Sequence, residues 1–417
     1  MWDRRLFLKR SGLALLTFGA GPAFLHRAAA AATAAPRKKV LVTLFQRGAM
    51  DGLAAVAPTS GGDLTRLRPR LAMSAARSAG EGALLELGVG FGLHPALAPL
   101  APLFSARELA IVHAVGSPDP TRSHFDAQDY METATPGRKG TATGWLNRVC
   151  GELGHEPSPF RAVALASALP RSLQGPEPAV AVTRLDEFGV RLTGAAQAGA
   201  VAGRGFESLY AQTAGDLLGT AGREAFDAVA QLSAAELSRY RSAPGARYPQ
   251  SPLGDALRQV AQLVKSGVGL EVAFCESGGW DTHVAQGTAQ GSFARRADDL
   301  ARAIAAFWTD LGNERENVVL LTMTEFGRTV RENGSGGTDH GHGSALFLLG
   351  TGVDGGKVHG RFPGLDPGVL HEGRDLPVTT DFRAVFGEVA ARHLGVADTG
   401  TLFPGWSGER IPLFRAA

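Results

Sequence analysis

The segment Thr322-Met323-Thr324-Glu325-Phe326-Gly327-Arg328-Thr329 is closely followed by Gly337-Thr338-Asp339-His340-Gly341-His342-Gly343. Carboxylates and imidazoles that converge at a strand end are a donor set for a divalent metal, since each offers lone pairs at short reach. Glu325, His340 and His342 are therefore candidate ligands. Arg328 adds a guanidinium suited to an oxyanion. The plainer alternative is a capped loop whose histidines face solvent.

Three more clusters follow apolar runs. Residues 40–45 lead into Gln46-Arg47-Gly48-Ala49-Met50-Asp51-Gly52, where Asp51 is either a metal ligand or a turn residue before glycine. Residues 111–115 lead into Gly116-Ser117-Pro118-Asp119-Pro120-Thr121-Arg122-Ser123-His124-Phe125-Asp126, with a helix predicted from about Ser123. A hydroxyl at a helix start suits a nucleophile, since helix-end amides and a guanidinium stabilise negative charge. Ser123 or Thr121 would attack, Arg122 or Arg328 would neutralise the transferring group, and His124 would act as acid or base. Alternatively Thr121 or Ser123 is only a helix cap. Residues 271–275 deliver Glu276-Ser277-Gly278-Gly279-Trp280-Asp281-Thr282-His283, in which Asp281 and His283 can reach one ion from an irregular loop.

The elements that must position these clusters are legible as periodicity. Strand-like runs fall at 39–45, 109–115, 162–166, 268–275, 318–322 and 345–349. Amphipathic helices are predicted over 252–265 and 291–312, the second with Ala294, Ala297, Leu300, Ala301, Ile304 and Phe307 at helical spacing. Alternating strands and helices predict an α/β fold, a mainly parallel sheet with helices on both faces. Ligands in such sheets bind beyond the carboxyl ends of the strands, where all four clusters fall. Residues from about 172 to 246 read instead as a helical insertion, with a helical pattern over 225–240. Near the end, Thr380 or Asp381 is the expected N-cap of a last helix.

The first 35 residues read as an export signal and the remainder as one domain. Arg4-Arg5 precedes Phe7-Leu8-Lys9, then a short apolar stretch broken by Gly19, Gly21 and Pro22, then small residues ending near Ala34-Ala35. Paired arginines in that setting are the address of the twin-arginine (Tat) translocase, the partner expected during export to the periplasm or beyond. No stable membrane anchor is expected. Removing the leader takes the formal charge from +2 to about −2. Nucleic-acid binding thereby loses its electrostatic warrant. Cys150 and Cys275 lack metal-ligand spacing and are either a disulfide formed after export or buried free thiols.

Arg122-Ser123-His124-Phe125-Asp126, Gly278-Gly279-Trp280-Asp281-Thr282-His283, Glu325-Phe326-Gly327-Arg328-Thr329 and Asp339-His340 together resemble the domain-of-unknown-function 1501 family. The resemblance covers nearly all of the mature chain and implies an alkaline phosphatase/sulfatase-like fold. By that superfamily's order of site elements, Asp51, Ser123 or Thr121, Asp281 with His283, Glu325, and His340 or His342 take the site positions. The implied activity is metal-dependent hydrolysis of a phosphate or sulfate ester, with one or two ions, zinc or manganese. The alternative is a binding or assembly protein that keeps the fold. Phe326 stands where the superfamily has a metal-binding histidine, Glu325 replaces an aspartate, and no Cys-x-Pro-x-Arg signature occurs. A single ion or a repurposed site is what these departures imply.

Overall fold

The computed structural model describes residues 38–59, 63–74, 82–154, 158, 160–185 and 240–416. The leader and most of the predicted helical insertion, including 225–239, lie outside the described residues. In chain order the strands are β1 (Val40–Gln46), β2 (Val56–Pro58), β3 (Leu85–Glu86), β4 (Phe91–Leu93), β5 (Leu109–Gly116), β6 (Ala162–Ala164), β7 (Val180–Ala181), β8 (Val272–Ser277), β9 (Val318–Met323), β10 (Ser344–Leu349), β11 (Val358–His359) and β12 (Thr380–Asp381). The helices are α1 (Gly52–Ala55), α2 (Asp63–Leu67), α3 (Ala101–Ser105), α4 (His124–Thr133), α5 (Trp145–Glu152), α6 (Pro252–Ser266), α7 (Ser292–Leu311) and α8 (Phe382–Arg392).

The main sheet has the order β11-β5-β10-β9-β1-β8-β6-β7, with β12 also paired to β5. Its pairings are parallel except those of β10, which is antiparallel to both β5 and β9. Every other strand therefore ends at one edge of the sheet, and β10 begins there. This is an α/β architecture with a mainly parallel sheet, as the alternation of patterns predicts.

The central strands are apolar on both sides, as a sheet covered on two faces requires. Val40, Val42 and Leu44 of β1 face a core shared with α6 and α7, whereas Leu41 and Phe45 face one shared with α5 and α8. Leu253, Leu257 and Val260 of α6 and Leu300, Ile304 and Phe307 of α7 fill the first core. Trp145, Val149, Phe382 and Phe386 fill the second. Helices thus cover both faces. Cys275 lies in the first core and Cys150 in the second, and both are free thiols. The sheet between them rules out the disulfide.

Caps fix where the helices start. Ser123, Ser251 and Asp381 each accept a backbone N–H of the first turn of α4, α6 and α8. Among the described residues no helix is long and apolar enough to cross a membrane.

Candidate metal centre

Three connections at the sheet edge build the site. The β5–α4 connection ends at Ser123, so His124 stands at the first position of α4. The loop after β8 carries Asp281 and His283. The long β9–β10 connection folds back on itself through Thr329 N–H to Asp339 O, Gly341 N–H to Gly327 O and Gly327 N–H to His342 O, at 2.8 to 2.9 Å. That pairing sets His340 opposite Arg328. A Cβ on Gly341 would lie 2.4 Å from the Arg328 backbone, so the two strands of this loop meet only with glycine there. Gly48, at φ +111°, brings the turn after β1 close to the Asp281 amide, 2.6 Å from where a Cβ would stand.

His124, Asp281 and His340 hold their donor atoms within 4.8 Å of one another. Asp281 Oδ1 lies 3.0 Å from His283 Nε2 and 3.2 Å from His340 Nε2. The two Nε2 atoms are themselves 2.9 Å apart. His124 Nε2 is 3.5 Å from Asp281 Oδ2 and has no hydrogen-bond partner. The three rings are half-buried and Asp281 is exposed, which leaves an open side.

The opposite nitrogen of each ring is occupied by an acceptor. His124 Nδ1 faces Glu325 Oε1 at 2.8 Å, His283 Nδ1 faces Asp339 Oδ1 at 3.0 Å, and His340 Nδ1 faces the Arg122 carbonyl at 2.8 Å. Ionised carboxylates and carbonyls only accept, which assigns the proton of each neutral ring to Nδ1. The Nε2 lone pairs then face inward. Two lone pairs 2.9 Å apart repel unless a cation or a second ring proton lies between them. Imidazoles fixed by carboxylates or carbonyls, with Nε2 directed inward, are what a bound metal requires of its surroundings. The residues present therefore fit a divalent ion.

The electrostatics point the same way. Burial raises the Glu325 carboxyl's pKa, but hydrogen bonds from His124, Gln128 and the Gly48 amide outweigh it and keep the group below its usual range. Burial likewise opposes ionisation of Asp281, and the Arg328 guanidinium at 2.6 Å reverses the balance. Asp339 is held low by Asn333 and His283. His124 is raised, chiefly by its bond to Glu325, whereas burial lowers His340. The Asp281, Asp339 and Glu325 carboxylates thus surround the rings in ionised form.

Several predicted site residues stand elsewhere. Asp51 is buried and bound by Arg68 at 2.7 and 3.1 Å and by Gln286 at 2.7 Å, while it caps α1. Glu325 supports His124 from behind. His342 is stacked on His371, with ring centroids 4.5 Å apart, and burial lowers its pKa to about 4. Arg122 turns its guanidinium to Asp375 and Glu372, at 2.7 and 2.6 Å. Arg328 is buried, tied to Asp281 and to the Thr338 carbonyl and hydroxyl. Ser123 Oγ accepts the Asp126 amide at 3.4 Å, and Thr121 Oγ1 accepts the Ser123 amide at 3.3 Å. Phe326 packs on both His124 and His340, at 5.0 Å between centroids.

Sequence reasoning missed Gln128, Asn333 and Gln286. Gln128 Nε2 donates to Glu325 at 2.9 Å. Its spacing of four from His124 on a helix was the available signal. Asn333 bonds both Asp339 Oδ1 and the His283 carbonyl, holding two loops in register. Nothing in the spacing of Asn333 or Gln286 marks them.

A family described as "Protein of unknown function (DUF1501)" matches residues 108–403. No curated protein matches the chain. Among solved structures, the chain is similar to the PsFucS1 sulfatase from Pseudoalteromonas sp., at 12% identity and a TM-score of 0.38. That match covers 92% of this chain and 74% of the sulfatase.

Proposed function

The chain belongs to the DUF1501 family, and on that premise we propose that it is an exported, metal-dependent hydrolase acting on a phosphate or sulfate ester. One observation carries the reading. The Nε2 atoms of His283 and His340 meet at 2.9 Å beside Asp281 and His124, with every ring held from behind by an acceptor. Asp281, His124, His283 and His340 would hold the ion. A donor set rich in imidazole suits zinc, with manganese the second choice. When bound, such an ion supplies Lewis acidity to a phosphoryl or sulfuryl oxygen.

The chain's own groups divide the remaining work. Ser123, at the start of α4, presents its hydroxyl where the helix amides favour developing negative charge. Thr121 holds the Ser123 amide and so shapes that start. Arg328 acts through Asp281, keeping the carboxylate ionised and oriented. Arg122 acts through its carbonyl on His340, while its guanidinium ties down Asp375. The paired arginines of the leader support Tat export to the periplasm or beyond.

A second reading, a periplasmic binding or assembly protein without turnover, is favoured by two observations. Phe326 packs beside His124 and His340, and the guanidinium groups of Arg122 and Arg328 are already paired with carboxylates. Elemental analysis of the purified mature chain, with Asp281→Ala and His340→Ala, tests the first reading. Stoichiometric metal lost in both variants, together with turnover of aryl phosphate or sulfate esters, supports it. Stoichiometric metal without turnover of either ester class favours the second. A chain that takes up no metal on reconstitution sinks the metal centre.

A further inference from the structure

Phe125 is 90% exposed and Val284 is 65% exposed, the highest values for large apolar side chains among the described residues. Each follows directly on a histidine of the site, His124 and His283. Phe125 occupies the second position of α4. Side chains on a helix lean toward its N-terminus, which here is the end carrying Ser123 and His124. Val284 leaves the same loop that presents Asp281 and His283. Phe326 packs with Ala49 and Ala127 in a small apolar cluster against the His124 ring.

Neither exposed side chain contributes to the cores, so a polar residue at either place would cost the fold little. Ligand sites commonly combine a few converging polar groups with an apolar lining. The ligand such a site fits is anionic at one end and apolar at the other.

Resting on the ester-hydrolase reading above, we propose that Phe125 and Val284 form the rim that receives an aryl or bulky alkyl group of the substrate. The substrate class is then an ester of a tetrahedral oxyanion with an apolar alcohol. Hydrolysis breaks the P–O or S–O bond to that alcohol, water supplies the replacing oxygen, and a proton from water leaves with the alcohol.

Phosphonates and sulfonates are not turned over and therefore read binding alone. The metal-loaded chain is titrated calorimetrically with phenylphosphonate, methylphosphonate, benzenesulfonate and methanesulfonate. The same titrations follow on Phe125→Ala, Val284→Ala and the double variant, each checked for metal content. The wild type is expected to favour the phenyl member of a pair by roughly tenfold. That preference falls to about twofold in the double variant, with metal content unchanged. A phenyl preference that survives both substitutions, or equal binding of phenyl and methyl members, overturns the rim while leaving the ester reading intact. Binding of none of the four to metal-loaded protein overturns the ester reading and the rim with it.

Discussion

His283 and His340 point their Nε2 atoms at each other across 2.9 Å, from two loops more than fifty residues apart in the chain. Each ring is fixed on its far side, by Asp339 and by the Arg122 carbonyl. Two neutral imidazoles so fixed place lone pair against lone pair. The arrangement is stable only with positive charge between the rings, either a second ring proton or a metal. The ionised Asp281 beside them attracts both, and His124 completes a donor set larger than one proton needs.

Metal binding should therefore depend on the groups behind the rings. Glu325→Gln keeps the side chain's shape and removes the charge that orients His124. Metal affinity is expected to fall about 10- to 100-fold, measured by competition with a chelator. Metal at a hundredfold excess over its dissociation constant should stabilise the wild type by about 2.7 kcal/mol. The same concentration should stabilise the variant less. Equal affinities for the two proteins would remove Glu325 from the site.

Asp51 tests the opposite case. Its carboxylate and the Arg68 guanidinium are each 1% exposed, and Arg68 also bonds the carbonyls of Thr329 and Val330. Asp51→Ala leaves a buried guanidinium without its counter-charge, at a cost of about 3–5 kcal/mol. Denaturant unfolding should show that loss, while folded protein keeps its full metal content. A stably folded Asp51→Ala chain lacking metal would instead make Asp51 a ligand.

The same pair shows where sequence reasoning stops. The strands at 40–46, 272–277 and 318–323 and helices α6 and α7 were legible because each is an uninterrupted apolar run or stripe bounded by turn residues. The reversal of β10 was not, because an apolar run has no direction. Yet that reversal lets the β9–β10 connection, and His340 with it, stay at the edge where His124 and Asp281 stand. The small β2-β4-β3 sheet was also missed, since its strands have only two or three residues. Asp51 before glycine looked the same as a ligand or as a turn residue. Arg68, seventeen residues on, decides its surroundings, and no local pattern links the two.

Acid should destabilise the fold through a histidine remote from the site. His113 is fully buried. Nε2–H donates to the Val56 carbonyl and Nδ1 accepts the Ala114 amide, so the neutral ring is satisfied. Burial lowers its pKa from 6.5 to about 4. The unfolded chain takes up this proton below pH 6.5 and the folded chain does so only near 4. Stability present above pH 6.5 is thus lost as the pH falls through that window, by about 3 kcal/mol in total. His393, also lowered to about 4 by burial, adds in the same direction. Urea unfolding of the wild type at pH 7.5 and 5 should show the loss, and His113→Gln should show a smaller one. A pH dependence unchanged by the substitution would contradict the assignment.

Ser123 carries two roles that substitution can separate. Its Oγ accepts the Asp126 amide at 3.4 Å, a long bond for a cap, and the residue lies between the Arg122 carbonyl that holds His340 and His124 itself. Ser123→Ala removes the cap at a cost of about 1 kcal/mol. It leaves the Arg122 carbonyl and the His124 ring in the chain, so metal content should hold. Asparagine caps about as well as serine but offers no hydroxyl, so Ser123→Asn should recover most of the lost stability. If the hydroxyl attacks the ester, both variants lose turnover by at least ~10³-fold, whatever their stability. Turnover that tracks stability, falling in the alanine variant and returning with asparagine, would reduce Ser123 to a cap. The attacking oxygen would then have to come from Thr121 or from water. Thr121→Ala distinguishes those two, because water as nucleophile survives it and the threonine hydroxyl does not.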